Sequence, residues 1–286
     1  GSSGPPSASH IKVKLGATKE GKLVAAEAEL IYEAGAFPGS PAVAGCVCMM
    51  SAYDIPNARL EGYDVVVNTP KSAAYRAPGS PVSAFAMETA IDKLCEKLGM
   101  DPLDFRLLNS SKEGTRQVTG PVFPRIGFIE TLQAAKAHPH YSAPLEGPNR
   151  GRGVASGYWR NNTGPSSVLV IVNSDGTVSL VEGSVDLSGT RTTLAQQLAE
   201  VLGIQVEDVR PAVADTDSIG FTSNSGGSGA TFKTGWAVHH AGEDVKRQMI
   251  QRAAKVWEIP EEDVEYRDGV LRHKSDPELQ LTFKQV

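Results

Sequence analysis

A glycine- and proline-rich loop that runs directly into a long amphipathic segment is the strongest constraint in this sequence. The loop spans residues 73–81, and its helical segment follows over residues 82–98. Ser80 is predicted as the N-cap, a proline occupies the first helical position, and Gly99 ends the helix. The apolar stripe of this helix is predicted to comprise Val82, Phe85, Ala86, Ala90, Ile91, Leu94 and Leu98. Because the loop places the guanidinium of Arg76 beside free backbone N–H groups, it is predicted to hold an anion.

The rest of the chain mixes strand and helix patterns. Strands are predicted at 11–18, 23–32, 58–69 and 209–214, helices at 40–52, 128–137, 191–202 and about 234–256, and hairpins at 166–184 and 264–273. A long polar loop covers 110–127. The fold is therefore predicted to be α+β, with mixed sheets and packed helices in two subdomains. Residues 1–140 and 152–286 form these subdomains, and 141–151, with two prolines and two glycines, form the linker.

Composition argues against several functions. The net charge of −5 and the scattered basic residues do not suit a nucleic-acid-binding protein. No apolar stretch approaches the roughly 20 residues of a membrane span, and no secretory signal is visible, so a cytoplasmic location is expected. Residues 1–10, rich in Gly, Ser and Pro, fit a tag remnant, a flexible loop or a native strand connection.

Cysteine and histidine spacing offers no metal site that stands out. Cys46-x-Cys48 could ligate a metal, but the pair lies in an apolar run, where buried thiols are common. Three cysteines make no disulfide framework, and neither His138-x-His140 nor His239-His240 has the spacing of a structural zinc site. No metal-ligating residue is therefore assigned.

Three places where a polar loop precedes a helix could share one ligand. They are residues 75–80, 183–190 and 224–231, which we call the first, second and third loops. Their glycines allow close backbone approach, and their hydroxyls add hydrogen-bond donors. If the three loops converge, they suit a large polar ligand with a phosphate, such as a pyranopterin. The alternative is that each is an ordinary connection.

The first loop resembles a signature of the molybdenum hydroxylases, the xanthine dehydrogenase and aldehyde oxidase family. In that family an Ala-aromatic-Arg-Gly/Ala-x-Gly-x-Pro/Gln loop lies beside the molybdenum, and here the residues are Ala-Tyr-Arg-Ala-Pro-Gly-Ser-Pro. The resemblance extends back over residues 53–76 and on through 87–109, and it covers nearly the whole chain. It implies that the molybdopterin cofactor is held by several loops of a large subunit.

The resemblance implies contacts in all three loops. The cofactor-binding residues are then Tyr75, Arg76, Ala77, Ser188, Gly189, Gly227, Ser228 and Ala230. Arg76 matches the arginine beside the metal, and Tyr75 matches its aromatic neighbour. Ser188 stands where the family's Gly-Gln-Gly loop has its glutamine, which puts one expected hydrogen bond in question. Gly227 and Ser228 match residues that meet the molybdenum ligands and the pterin.

Departures from the family pattern reduce the number of substrate classes that fit this sequence. Pro78 falls where purine oxidases have a substrate-stacking phenylalanine, and Ala44 where xanthine dehydrogenases have a purine-binding arginine. These two positions are the predicted substrate pocket, and they argue against a purine. Ala77 replaces the cysteine of the copper-dependent carbon monoxide dehydrogenases, which argues against CO oxidation. An aldehyde or an N-heterocycle, hydroxylated with water-derived oxygen, remains.

No catalytic residue is assigned, because the family's general-base glutamate and its upstream Gly-Gly-Phe-Gly loop have no match here. The carboxylates of Glu182, Asp186, Asp215 and Asp217 are interpreted as solvated or capping groups. We therefore expect an internal fragment that is inactive alone, whose complete subunit works with iron–sulfur and FAD subunits or domains on a small-molecule substrate. Exposed apolar surface would favour self-association, including a homo-oligomer. The alternative is a non-catalytic binding or structural module that retains the scaffold.

Overall fold

Two units, each with its own hydrophobic core, make up the structure. The computed structural model describes residues 3–160 and 162–286, and the chain divides between Trp159 and Arg160. The predicted α+β fold with mixed sheets is confirmed. No helix in the described ranges has the length and apolar character that crossing a membrane requires.

The first unit is built on a three-stranded sheet of order β1-β2-β3. Its elements are β1 (Ser9–Ala17), β2 (Leu23–Gly35), α1 (Ala42–Met49), β3 (Ala58–Val66), α2 (Ser80–Leu98), α3 (Pro102–Asn109), α4 (Phe128–Ala137) and α5 (Pro139–Ser142). Strand β1 is antiparallel to β2, whereas β3 is parallel to it, with α1 in the crossover. Every second residue of β2 from Ala26 onward faces the core. There Leu30 and Tyr32 are fully buried in one cluster with residues of α1 and α2.

Helix α2 begins and ends where predicted, within one residue, but two details of the prediction are wrong. Gly79 is the N-cap, and Ser80 is the first helical residue, whose hydroxyl donates to the carbonyl of Tyr158 at 2.7 Å. The predicted stripe is also misplaced in part, since Phe85 is 77% exposed. Ile91 of the predicted stripe is fully buried, and Ala86, Leu94 and Leu98 pack against the core. Val82 and Phe85 are exposed, and Ser83, Met87 and Cys95 are buried although the stripe did not include them. This small-residue start brings the helix close to α1, a constraint that hydrophobicity alone does not reveal.

A buried ion pair joins α2 to α3. Arg106, fully buried, donates to Glu88 Oε2 from Nε at 3.0 Å and from Nη2 at 2.8 Å. Tyr53 donates to the other oxygen of Glu88, and the backbone N–H of Ser156 donates to Oε2 at 2.5 Å. The carboxylate is therefore fully satisfied, which burial of a charge requires.

The side chain of Asn109 completes the turn of the first hairpin. Its Oδ1 accepts from the backbone N–H of Leu23 at 2.8 Å, and its Nδ2 donates to the carbonyl of Gly21 at 2.8 Å. Asn109 is fully buried at the end of α3, so both hydrogen bonds are shielded from water. The last residue of α3 thereby fixes the first turn of the chain.

The second unit repeats the order of elements of the first. Its elements are β4 (Val168–Val172), β5 (Val178–Glu182), α6 (Thr190–Leu202), β6 (Val209–Val213), α7 (Ala230–Trp257), β7 (Val264–Arg267), β8 (Val270–His273) and β9 (Gln280–Thr282). As in the first unit, a hairpin is followed by a crossover helix, a parallel strand and a long helix. Strands β7, β8 and β9 add a separate antiparallel sheet. Helix α7 begins four residues before its predicted start, so Ala230 is helical.

Candidate ligand site at the helix starts

The first loop is held in a left-handed backbone conformation. Arg76 and Ala77 have φ of 27° and 51°, and Gly79 has φ of 86°. Positive φ is unfavourable for residues with a Cβ, so the surroundings must hold Arg76 and Ala77 in place. Helix α2 then starts from Gly79 with no side-chain hydrogen bond to its first turn. The N–H of Ser80 donates to the carbonyl of Ala77 at 3.0 Å and Pro81 has no N–H, so the first turn of α2 has few donors left for another partner.

Gly79 lets the first loop pack directly against α1. A Cβ at this position would lie 2.6 Å from the carbonyl oxygen of Pro41 and 2.8 Å from the backbone nitrogen of Gly45. Only glycine tolerates both this contact and the positive φ. Ala44, the other predicted substrate-pocket position, lies on α1 directly before Gly45 and is half-buried.

A largely apolar cavity of about 320 Å³ lies beside the first loop. Tyr75, Arg76, Ala77 and Pro78 all line it, and Ala44 does not. The ring of Tyr75 is 73% exposed at the surface. The cavity thus brings together four of the predicted site residues, including one of the two predicted substrate-pocket positions.

The second loop reaches α6 through the same backbone conformation. Ser188 has φ of 54° and Gly189, the N-cap, has φ of 83°, with no side-chain hydrogen bond from the cap. An added Cβ at Gly189 would meet no heavy atom within 4 Å, so this glycine faces open space. Two donors of the first turn are already used. The backbone N–H of Thr190 donates to the carbonyl of Leu187 at 3.2 Å, and that of Arg191 donates to Asp186 Oδ1 at 3.2 Å. This contact agrees with the capping interpretation of Asp186.

The third loop precedes α7 in the same way. Gly227 and Ser228 have φ of 73° and 57°, and the N-cap Gly229 has no side-chain hydrogen bond to the helix. The backbone N–H of Asn162 donates to the carbonyl of Gly227 at 2.8 Å. A Cβ at Gly229 would lie 2.1 Å from the carbonyl oxygen of Asn162, so the glycine is needed for this close approach.

The second and third loops lie at the same end of the second unit. Gly235 of α7 packs against Gln197 of α6, and farther along both helices Gly242 packs against Val201. Because the contacts advance in the same direction along both helices, α6 and α7 begin at the same end. Gly183, the first residue of the second loop, also packs against Thr222, two residues before the third loop.

Lys233, in the first turn of α7, was not singled out from the sequence. Its residue is 5% exposed, and its ammonium donates to Ser223 Oγ at 2.9 Å and to the carbonyl of Asn224. No carboxylate lies within ion-pair distance of it in the described ranges. A lysine one turn inside a helix that follows a glycine-rich loop was the available signal. Lys233 ties the third loop to the helix that it precedes.

Glu182 ends β5 and is fully buried. Its Oε2 accepts from the backbone N–H of Ser184 at 3.2 Å and from the Ser184 hydroxyl. Its Oε1 has no hydrogen-bond partner among the described residues. Burial raises the pKa of this carboxyl above its ordinary value. Of the two interpretations of Glu182, the solvated group is wrong, because the residue has no exposed surface, whereas the hydrogen bond from the Ser184 backbone N–H agrees with a capping role.

The remaining candidates are accounted for by local structure. Asp215 accepts from the backbone N–H of Asp217 at 2.9 Å, which agrees with a capping role. Cys48 is buried in α1, and Cys46 packs against the first core, where burial raises the pKa of its thiol. Among residues 3–160 and 162–286, no group of three or more His, Cys, Asp or Glu side chains is placed to hold a metal ion.

Two family profiles, both described as molybdopterin cofactor-binding domains, match residues 2–110 and 128–286. The chain belongs to this family. The first profile contains the first loop, and the second contains the other two loops. The resemblance to molybdenum hydroxylases is thereby confirmed.

Named relatives agree with this family. The large molybdopterin subunit of nicotinate dehydrogenase from Eubacterium barkeri is 39% identical over 127 residues, which are 43% of this chain and 30% of that protein. An aldehyde oxidoreductase from Megalodesulfovibrio gigas is 30% identical over 258 residues, 82% of this chain and 28% of that protein. This molybdopterin-binding chain thus spans less than a third of the length of either relative.

Solved structures share the fold. Quinoline 2-oxidoreductase from Pseudomonas putida 86 superposes with a TM-score of 0.83 at 20% identity, over 96% of this chain and 39% of that chain. The aldehyde oxidoreductase from Desulfovibrio desulfuricans superposes with a TM-score of 0.74 at 28% identity, over 89% of this chain and 31% of that chain. The fold described above is therefore shared with both of these oxidoreductases.

Proposed function

We propose that this chain holds the molybdenum cofactor of an oxidoreductase that hydroxylates an aldehyde or an N-heterocycle with water-derived oxygen. The supporting observation is shared by the three loops. Seven described non-glycine residues have positive φ, and four of them, Arg76, Ala77, Ser188 and Ser228, lie directly before α2, α6 and α7. Strained backbone concentrates at functional sites, so the strained loops before α2, α6 and α7, none of which has a capping side chain on its N-cap residue, support a ligand-binding role for these loops.

The donor set of the loops fits such a cofactor. The glycine N-caps carry no capping side chain, although the N–H groups of Ser80, Thr190 and Arg191 already have partners within their own loops. Arg76 adds a guanidinium that suits phosphate or oxygen acceptors. Tyr75, Ala77, Ser188, Gly189, Gly227, Ser228 and Ala230 complete the proposed contacts. Open space at Gly189 leaves room for close approach. When bound, the cofactor supplies a two-electron redox centre, and these residues bind and orient it.

The proposed substrate pocket lies around Pro78 and Ala44. Both side chains are small or rigid and carry no charge, which suits a neutral carbonyl compound or heterocycle better than a purine that needs an arginine. The relatives are named for nicotinate, for aldehydes and for xanthine, so the proposed substrate class rests on Pro78 and Ala44 and not on these names. We assign no general base within this chain.

The relatives' names also support a division of labour between chains. One is named a large subunit, and another, from Escherichia coli, a molybdenum-binding subunit. We therefore propose iron–sulfur and FAD subunits or domains as electron-transfer partners, with self-association into a homo-oligomer and a cytoplasmic location as further expectations.

The test is cofactor content in the intact protein that contains this chain. Arg76→Gln should lower molybdenum and the fluorescent pterin oxidation product severalfold, because a charge-assisted hydrogen bond contributes roughly 1.5–3 kcal/mol. Arg59→Gln is the matched control, since Arg59 is an exposed arginine of β3 in the same unit. Full occupancy in Arg76→Gln would remove this assignment.

The alternative is a module that keeps the scaffold without the chemistry. Ser188 in place of a glutamine, and the Asp186 carboxylate at the α6 start, are the observations that favour it. It predicts that the intact wild-type protein purifies without molybdenum or pterin, whereas the first proposal predicts about one cofactor per chain.

A further inference from the structure

Tyr32 contacts both α1 and the N-cap residue of α2. It is fully buried on β2, and its hydroxyl donates to the carbonyl of Gly79 at 3.0 Å. Its ring lies against Gly45 of α1, where an added Cβ would be 2.5 Å from Oη and 2.9 Å from Cζ. The side chain thus contacts α1 and the N-cap of α2 together.

The carbonyl that Tyr32 binds belongs to the strained part of the first loop. Gly79 O also accepts the first helical hydrogen bond of α2, from the backbone N–H of Ser83 at 3.1 Å. Three residues earlier, Arg76 has φ of 27°. Such a conformation persists only where neighbouring groups hold it, and the hydroxyl of Tyr32 is a buried group in position to do so.

The cavity beside the first loop explains why the loop needs the hydrogen bond from Tyr32. The space of about 320 Å³ beside the first loop is lined by Tyr32 as well as by Tyr75, Arg76 and Pro78. Packing on that side therefore does not fill the space that the loop could enter, and directional contacts must set its position.

We propose that Tyr32 is a positioning residue whose hydroxyl fixes the first loop, and with it Arg76, in the conformation that faces the cofactor. This inference rests on the proposed function of the loop. Burial raises the pKa of Tyr32 to about 12, so the hydroxyl remains a hydrogen-bond donor throughout the physiological range.

The experiment measures backbone amide exchange by mass spectrometry in the intact cofactor-free protein. Tyr32→Phe keeps the ring and removes only the hydroxyl. Amides in the peptide covering residues 72–83 should exchange about tenfold faster, while those of β1 and α3 should change less than about twofold. Tyr266→Phe is the matched control, because Tyr266 Oη donates at 2.6 Å to another helix-end carbonyl, that of Leu202 in the second unit. It should leave the 72–83 peptide unchanged.

Two exchange results would overturn the positioning role. One is an unchanged 72–83 peptide in Tyr32→Phe. The other is an equal acceleration throughout the first unit, which indicates general destabilisation.

Cofactor content provides the second readout, and it separates the two proposals. Tyr32→Phe should lower molybdenum per chain severalfold and Tyr266→Phe should not. A normal molybdenum content in Tyr32→Phe, together with a lowered content in Arg76→Gln, would contradict the positioning role of Tyr32. A full molybdenum content in Arg76→Gln would instead contradict the proposed function. The amide-exchange result would then still test whether Tyr32 holds the first loop in place.

Discussion

Tyr32 and Glu182 hold corresponding positions in the two sheets. Tyr32 is opposite Ser9, the first residue of β1, and Glu182 is opposite Val168, the first residue of β4. Both are fully buried on the central strand of their sheet. The Tyr32 hydroxyl binds Gly79, whereas Glu182 Oε1 has no partner among the described residues. The same place therefore carries a satisfied hydroxyl in one unit and a half-satisfied carboxyl in the other.

The carboxyl of Glu182 should make stability depend on pH. Because burial raises its folded-state pKa above the unfolded value of 4.5, its neutral form is favoured in the folded protein. Stability associated with this group is present below the unfolded pKa and is lost as pH rises through the folded pKa. Glu182→Gln should therefore gain stability relative to wild type over that rise, measured by denaturant unfolding across a pH series.

Glu200→Gln, on the exposed side of α6, is the control for the pH series. This variant removes one carboxyl without changing the surroundings of Glu182, so it corrects for the change in net charge. Parallel curves for Glu182→Gln and wild type would contradict a raised pKa at Glu182.

Arg106→Met should be strongly destabilising. It leaves Glu88 buried without its cationic partner, and breaking a buried pair costs about 3–5 kcal/mol. Lys12→Met is the comparison, since the Lys12–Glu29 pair is exposed and such pairs contribute about 1 kcal/mol or less. Urea unfolding of both variants measures the difference. Equal losses would mean that the buried pair is not important for stability.

Gly45→Ala should destabilise the first unit although it places a better helix former in α1. The added methyl would lie 2.5 Å from the hydroxyl oxygen of Tyr32, and overpacking of this kind costs about 1–3 kcal/mol against a propensity gain of about 0.5–1 kcal/mol. Gly153→Ala, where an added Cβ meets no atom within 4 Å, is the control. Thermal unfolding should show a lower midpoint for Gly45→Ala alone, and a raised midpoint would argue against the contact.

Lys233→Met should loosen the third loop. The substitution keeps the aliphatic volume and removes the ammonium hydrogen bonds to Ser223 and Asn224. Amides of residues 223–229 should exchange about tenfold faster, because two hydrogen bonds from a charged donor are lost. Lys246→Met, farther along α7, should leave them unchanged. Unaltered exchange in Lys233→Met would show that the lysine does not hold the loop.

Local signals were enough to predict most elements. The bounds of α2 are predicted from Ser80 and Pro81 before it and Gly99 after it, and the hairpin of β4 and β5 from Asp175-Gly176 between alternating apolar residues. The buried face at the start of α2 could not be predicted in this way. It depends on the contact of Gly79 with α1, which is a property of tertiary packing. Phe85 is exposed for that reason, while Ser83 is buried.

The candidate site was predictable to a similar degree. Glycine, serine and threonine ahead of helical patterns identified the three loops, and the assignment of individual contacts stays a prediction. Tyr32 could not be found from the sequence, because its partner Gly79 is 47 residues away. Glu182 was misread for the same reason, since burial depends on the elements that pack over β5.

Because of Asn109, the turn of the first hairpin is completed late in the synthesis of the first unit. The residue that satisfies the backbone of Leu23 is 86 positions farther along the chain, so β1 and β2 leave the ribosome well before their turn has its partner. Until then the turn amide and carbonyl bind water or other groups, and the exposed strands remain open to misassociation. A nascent chain that lacks Asn109 should therefore expose a first hairpin that chaperones recognise, and this recognition should weaken once Asn109 can reach the turn.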